Sequence, residues 1–177
     1  FAPDACLVGT RTNTAGVNGH FGDRLRGAKA TIAVNLTSAE VSNASLITSF
    51  NIGGIDIGTD VYDFGLNKNT ATYINYFFRR APGVFDEVCW NGDGSTPQTI
   101  SHGFTVIPEF IITKKRNNTS QWYIYHKDLI TPTSYYLNLA STNGQADLGA
   151  TAWGNTSTTF LATPGMGLNN AVSTYVA

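Results

Sequence analysis

The stretch TIAVNLTSAE at 31–40 returns as SYYLNLASTN at 134–143. Each has strand-forming residues, then Asn-Leu, then a tail of Ser, Thr and Ala. The likeness continues outward. At an offset of 103, Asn35 falls on Asn138, Asp23 on His126, Leu36 on Leu139 and Phe50 on Trp153. Toward the N-terminus the offset drifts to 105, setting Pro3-Asp4 on Pro108-Glu109 and Arg11 on Arg116. Toward the C-terminus it drifts to 102, setting Asn67 on Asn169 and TYIN (72–75) on TYVA (174–177). Such drifts belong in turns, where β proteins tolerate insertions. An ordered series of anchors at nearly one spacing marks an internal duplication, so one small fold must be solved twice.

That constraint sets the scale. A unit of under about a hundred residues buries only some 60–65% of its unfolded surface and gains from packing on a neighbour or partner chain. The chain is 42% hydrophobic and only 13% charged, against roughly 25% charged in ordinary soluble domains. Its surface is therefore largely Thr, Asn, Ser and Gly, which suits rigid assembly because few charges are desolvated at contacts. A net charge of −1 argues against nucleic acid as the main partner, since phosphate neutralisation needs a basic face. KKR (114–116) and RR (79–80) are expected to be solvated strand ends. No apolar run reaches the length of a membrane helix and no signal-like segment opens the chain. The opening FAPD lacks an initiating Met, which points to processing or to a piece of something longer.

The local pattern is β nearly throughout. KATIAVN (29–35) and IDIG (55–58) alternate apolar and polar residues, the period of a half-buried strand. YINYFF (73–78), FDEVCW (85–90), EFIITKK (109–115), WYIYH (122–126) and SYYLNL (134–139) are rich in aromatic and β-branched residues. NIGG, APG, NGDGSTP, KRNNTS and TPT break them at sandwich-like spacing. TSAEVSNASLI (37–47) carries the best helical signals, enough for one or two turns. The expected fold is all-β: two tandem antiparallel β-sandwich units of jelly-roll or lectin-like kind. The first spans residues 1–80 and lacks its first strand; the second spans 84–177 and lacks its last strand residues. Between them Pro82 keeps Ala81 extended and Gly83 permits a sharp turn, giving a short stiff joint. The second unit opens with FDEVCWNGDGSTPQTISHGF (85–104), which has no counterpart in the first. An unpaired edge in the first unit is therefore predicted, to be filled by sequence preceding Phe1 or by another chain.

Catalytic signals are sparse. His20, His102 and His126 show no metal-binding spacing, and no G-x-S-x-G elbow occurs. Asp86, Glu87, Asp93 and Glu109 name no acid pair for glycoside cleavage. NGDG (91–94) reads as a hairpin turn rather than a cation loop. Cys6 and Cys89 fit no metal site; buried free thiols are the expected state, with a disulfide the alternative if their strands are neighbours. The aromatics Trp90, Trp122, Tyr123, Tyr125, Tyr135, Tyr136 and Trp153 supply either core packing or a glycan-stacking platform. Alternation sets Trp122, Ile124 and His126 on one face of their strand and Tyr123 and Tyr125 on the other. Trp122, Tyr123 and Tyr125 are thus the candidates for glycan or partner contact.

Across nearly the whole chain, YFFRRAPGVFDEVCWNGDG, QTISHGFTVIPEFIITKKRNNTSQWYIYHKDL, YYLNL and NN…STYVA stand in a fixed order. This order resembles a domain found in tandem in bacteriophage structural proteins, especially those of phages of marine bacteria. PDACLVGTR, DRLRGA, VNLTSAE, LITSF and TYINYFF resemble a diverged sister unit. NGHFGD (18–23) and ATPGMGLNN (162–170) depart from the usual pattern. The resemblance implies a virion component such as a tail fibre, spike or capsid-attached fibre, and implies no reaction and no cofactor. The leading expectation is a non-enzymatic structural protein in the virion. Its partners are copies of itself, other virion proteins and host surface glycans, with neither nucleic acid nor membrane. A carbohydrate-binding module of a host-recognition fibre and a fragment of a polysaccharide depolymerase are the alternatives.

Overall fold

The computed structural model describes residues 1–12, 17–59 and 66–177. The chain divides into two compact units, Phe1–Arg79 and Arg80–Ala177. Among the described residues every strand pairing is antiparallel, and a 3-10 turn lies at Pro164–Met166.

Unit 1 contains β1 (Ala5–Thr10), β2 (His20–Asp23), β3 (Ala30–Ala33), β4 (Val41–Ser42), β5 (Ile47–Asn51), β6 (Gly54–Ile57) and β7 (Tyr73–Phe78). Its main sheet runs β4-β3-β2-β1-β7, and β5-β6 form a second sheet. Unit 2 contains β8 (Cys89–Asn91), β9 (Gln98–Ser101), β10 (Phe110–Lys115), β11 (Trp122–His126), β12 (Tyr135–Asn138), β13 (Ala146–Asp147), β14 (Thr159–Ala162) and β15 (Thr174–Val176). Its main sheet runs β13-β12-β11-β10-β15-β8, with β14-β9 as the second. The main-sheet order is that of unit 1 with β8 added, while in the second sheet β14 pairs with β9 where β6 pairs with β5.

Alternation along the strands builds each core between the two sheets. Cys6 and Val8 of β1 meet Leu46, Ile47 and Leu66 in unit 1. In unit 2, Ile111, Tyr125 and Tyr175 meet Ile100, Phe160, Trp153, Met166 and Leu168.

The duplication extends to hydrogen bonds. Arg11 N–H donates to the Thr72 carbonyl at 2.8 Å, and Arg116 N–H to Thr174 at 2.7 Å. Arg24 donates to Asp4 at 2.8 Å as Lys127 does to Glu109 at 2.9 Å, and Asn43 to Lys29 at 2.9 Å as Leu148 does to Ser134 at 3.0 Å. Lys68 N–H donates to the Tyr73 hydroxyl at 2.8 Å, and Asn170 N–H to the Tyr175 hydroxyl at 3.0 Å.

Several sequence expectations are corrected. The Asn35–Asn138 likeness is out of structural register. Val8 and Thr113 are equivalent on β1 and β10, and lie opposite His20 and Tyr123. Those in turn lie opposite Ala33 and Asn138, so Ala33 takes the place of Asn138. Asn35 instead donates to the Asn18 side chain at 2.9 Å beyond the end of β3. No helix forms at 37–47; Val41–Ser42 pairs with β3 and Ile47 begins β5. Glu40, the would-be first-turn acid, is instead held by Arg26 Nη1 at 2.8 Å, and the Asn43 side chain accepts the Ser45 N–H at 2.8 Å in a local turn. NGDGSTP does not close a hairpin either, because β8 pairs with β15 and β9 with β14; it crosses from one sheet to the other. Gly22 explains the departure at NGHFGD. It stands where Tyr125 stands in unit 2, and a Cβ there would meet the Ile47 side chain at 2.6 Å.

Candidate interaction surface

In unit 2, β15 lies between β10 and β8. The Trp90 indole of β8 stacks on Tyr175, with centroids 5.1 Å apart and planes at 18°. Its edge meets Phe160 of the second sheet at 5.6 Å, and its N–H donates to the Leu168 carbonyl at 3.2 Å. One indole thus joins the two sheets, and Tyr175 is left 0% exposed.

Unit 1 has the same seat with a different outcome. β7 is the counterpart of β15, and among the described residues it pairs with β1 alone. β6, the counterpart of β14, pairs among the described residues with β5 alone. Tyr73, Phe50, Ile55 and Ile57 are only partly buried against their core. Ile74, Tyr76 and Phe77 of β7 are 41%, 50% and 38% exposed. A six-residue edge strand of this composition is what natural sheets usually blunt with charge, proline or a bulge, and β7 carries no charge or proline. It is a ready template for another strand.

The candidates read from sequence lie elsewhere. Trp122 and Tyr125 are 4% and 7% exposed, and Tyr125 packs near Trp153 with centroids 5.7 Å apart. Tyr123 is half-buried edge-on to Tyr136 at 5.3 Å; burial, and then Tyr136, hold its hydroxyl pKa above the ordinary value. Tyr123 and Tyr125 pack with the core of unit 2, and neither Trp122 nor Tyr125 offers a ring face to a sugar. Trp90 and Tyr175 carry the informative contact. The sequence named Trp90 among the aromatics, yet gave no sign that β8 would sit beside β15.

Charged groups are also placed differently than expected. Lys114 is a buried strand residue, not a solvated end. Its Nζ donates to the Ser120 carbonyl at 2.9 Å and lies 6.0 Å from the centre of the Trp122 ring. Cys6 and Cys89 are both thiols outside any disulfide; Cys6 is buried as expected, whereas Cys89 is exposed on the edge strand β8. Asp23 sits at a strand end, as His126 does, and accepts hydrogen bonds from the Arg26 backbone N–H at 2.7 Å and from its Nε–H. With Glu40 and the Phe21 ring, 5.3 Å from the guanidinium carbon, this makes a compact structural ion network. His126 Nδ1 accepts the Asp128 N–H at 3.2 Å, and His102 Nδ1 accepts the Phe104 N–H at 3.2 Å; both histidines shape turns. Asp93 likewise caps a turn, and its hydrogen bonds with Ser95 hold its carboxyl below the ordinary range. Among the described residues no group of three or more His, Cys, Asp or Glu is arranged to hold a metal. An apolar groove of about 380 Å³ in unit 2 is lined by Thr96, Pro97, Leu148, Ala150, Thr151, Leu161, Thr163, Pro164 and Gly165. It presents no aromatic ring and no carboxylate.

Neither a curated protein nor a solved structure matches the chain. Its whole length, residues 1–177 and hence both units, matches a domain of unknown function, DUF7483, and the chain belongs to that family.

Proposed function

We propose that the protein is a non-enzymatic structural component of a phage particle, in a tail fibre, spike or capsid-attached fibre, acting through assembly and surface contact. The open edge of β7, with Ile74, Tyr76 and Phe77 exposed along it, is the observation that carries this reading. A low content of charge, 13% of residues, makes contact between such surfaces inexpensive in desolvation. The phage setting rests on the ordered resemblance that runs from YFFRRAPG to STYVA. A glycan-reading module needs exposed rings beside polar groups, and the buried Trp122 and Tyr125 do not favour it. A depolymerase needs two carboxylates across a cleft, and the groove of unit 2 holds none.

Purified particles of a phage encoding this sequence test the proposal. The chain should be recovered from washed particles by mass spectrometry, and antibody against it should decorate one structure in negative stain. Recovery from the soluble lysate alone, with bare particles, overturns the proposal.

A further inference from the structure

We propose that the β7 edge receives a strand donated by another polypeptide segment, and that the donor has the character of β8. It is extended and antiparallel to β7, with an aromatic residue opposite Tyr73. This rests on the assembly reading above and names the chemistry of the partner.

Backbone polarity comes first. Thr72 and Phe78 turn their carbonyls to β1, accepting the N–H groups of Arg11 and Asp4 at 2.8 Å and 2.8 Å. Antiparallel alternation then turns the N–H and C=O groups of Tyr73, Asn75 and Phe77 to the open side. In unit 2 the outward set that β8 binds includes Tyr175 and Ala177, the counterparts of Tyr73 and Asn75. Gly92 N–H donates to the Ser173 carbonyl at 2.9 Å, and Val88 and Ala177 exchange hydrogen bonds of 3.0 Å and 3.0 Å. The two edges share this ladder at Tyr73 and Asn75.

The ring seat comes second. Tyr73 and Tyr175 are anchored by the same hydroxyl contact with the preceding loop. In unit 2 an indole covers the phenol; unit 1 contains no tryptophan.

A third observation separates a donated segment from a second copy of β7. Among the described residues, β7 ends one sheet of unit 1 and β6 ends the other. In unit 2 a single continuous stretch, β8 through β9, crosses between the sheets and covers both equivalents. A donor of that kind completes both sheets, whereas a second β7 completes only one.

The test uses the full chain and a fluorescein-labelled peptide of residues 85–101 carrying Cys89→Ser, followed by anisotropy. Saturable binding is expected, weakened roughly tenfold or more when the peptide carries Trp90→Ala. Binding should also be lost when the chain carries Asn75→Pro, which removes an outward N–H while leaving the bonds to β1. Loss in that variant also excludes exchange of the peptide for β8 of unit 2. If circular dichroism shows that Asn75→Pro misfolds, Asn75→Lys takes its place, because an edge lysine discourages strand addition. No saturable binding to the folded chain, or binding indifferent to these edge variants, overturns the proposal. So does a chain dimer that Asn75→Pro dissolves and the peptide cannot compete away, since β7 is then self-paired. Particle labelling is read separately, so the donated strand and the phage setting can fail independently.

Discussion

The Trp90 indole lies flat on the Tyr175 phenol, at 5.1 Å, and reaches past it to the Leu168 carbonyl at 3.2 Å. This contact fastens β8 to the main sheet and the main sheet to Phe160 of the second.

Removing the indole should therefore loosen unit 2. Trp90→Ala is expected to cost about 3–5 kcal/mol, the range for deleting a large packed aromatic. Trp90→Phe keeps a ring on Tyr175 and forfeits mainly the hydrogen bond, about 1 kcal/mol. Urea unfolding of the three proteins should give midpoints in the order wild type, Phe, Ala.

Arg26 and Asp23 form a pair whose side chains are both 0% exposed. Breaking a buried pair from one side strands the other charge, so Arg26→Ala should destabilise unit 1 by about 3–5 kcal/mol. Arg26→Ala combined with Asp23→Asn should recover part of that loss. A double variant no more stable than Arg26→Ala alone would contradict the charge argument.

Lys114 sets a pH dependence. Burial, and then repulsion from Lys115, lower its pKa from an ordinary 10.5 to about 8. Between those values the unfolded chain holds more protons than the folded one, so stability should rise with pH across the window, by about 3 kcal/mol at most. Tyr123 works in the opposite sense. Its pKa is raised above an ordinary 10.0, so the unfolded chain ionises first and stability falls above that pH. Urea midpoints from pH 7 to 11 should pass through a maximum, and Lys114→Met should flatten the rising limb.

The two thiols should behave differently. Cys89 is exposed and Cys6 fully buried, so a maleimide reagent should modify Cys89 in the native protein and Cys6 only on unfolding. Peptide mapping by mass spectrometry assigns the sites.

Much of this fold was legible from sequence because its strands are aromatic or β-branched. YINYFF, EFIITKK, WYIYH and SYYLNL all contain the strands expected of them. ACLVGT (5–10) and HFGD (20–23) were passed over, since small residues and glycine carry little strand signal; their partners across the sheet make them strands. The helical signals at 37–47 lost to tertiary contacts, above all the Arg26–Glu40 bond. Basic residues in KKR looked like surface because sequence does not reveal that Lys114 finds a carbonyl and a ring inside. That β7 pairs with β1 alone among the described residues was legible by subtraction, since nothing in 1–79 matches 85–104. That the same segment would serve both sheets was not, because NGDGSTP has the composition of any tight turn and only the pairings show it crossing over.

The repeated tyrosine tie, Lys68 to Tyr73 and Asn170 to Tyr175, has a practical meaning. Both units share one frame, and within residues 1–177 a crossing segment covers that frame in unit 2 alone, so the polypeptide contains its own matched control. Grafting residues 85–104 ahead of Pro3 would ask how much autonomy a single crossing segment confers, with the native second half as the yardstick in the same tube.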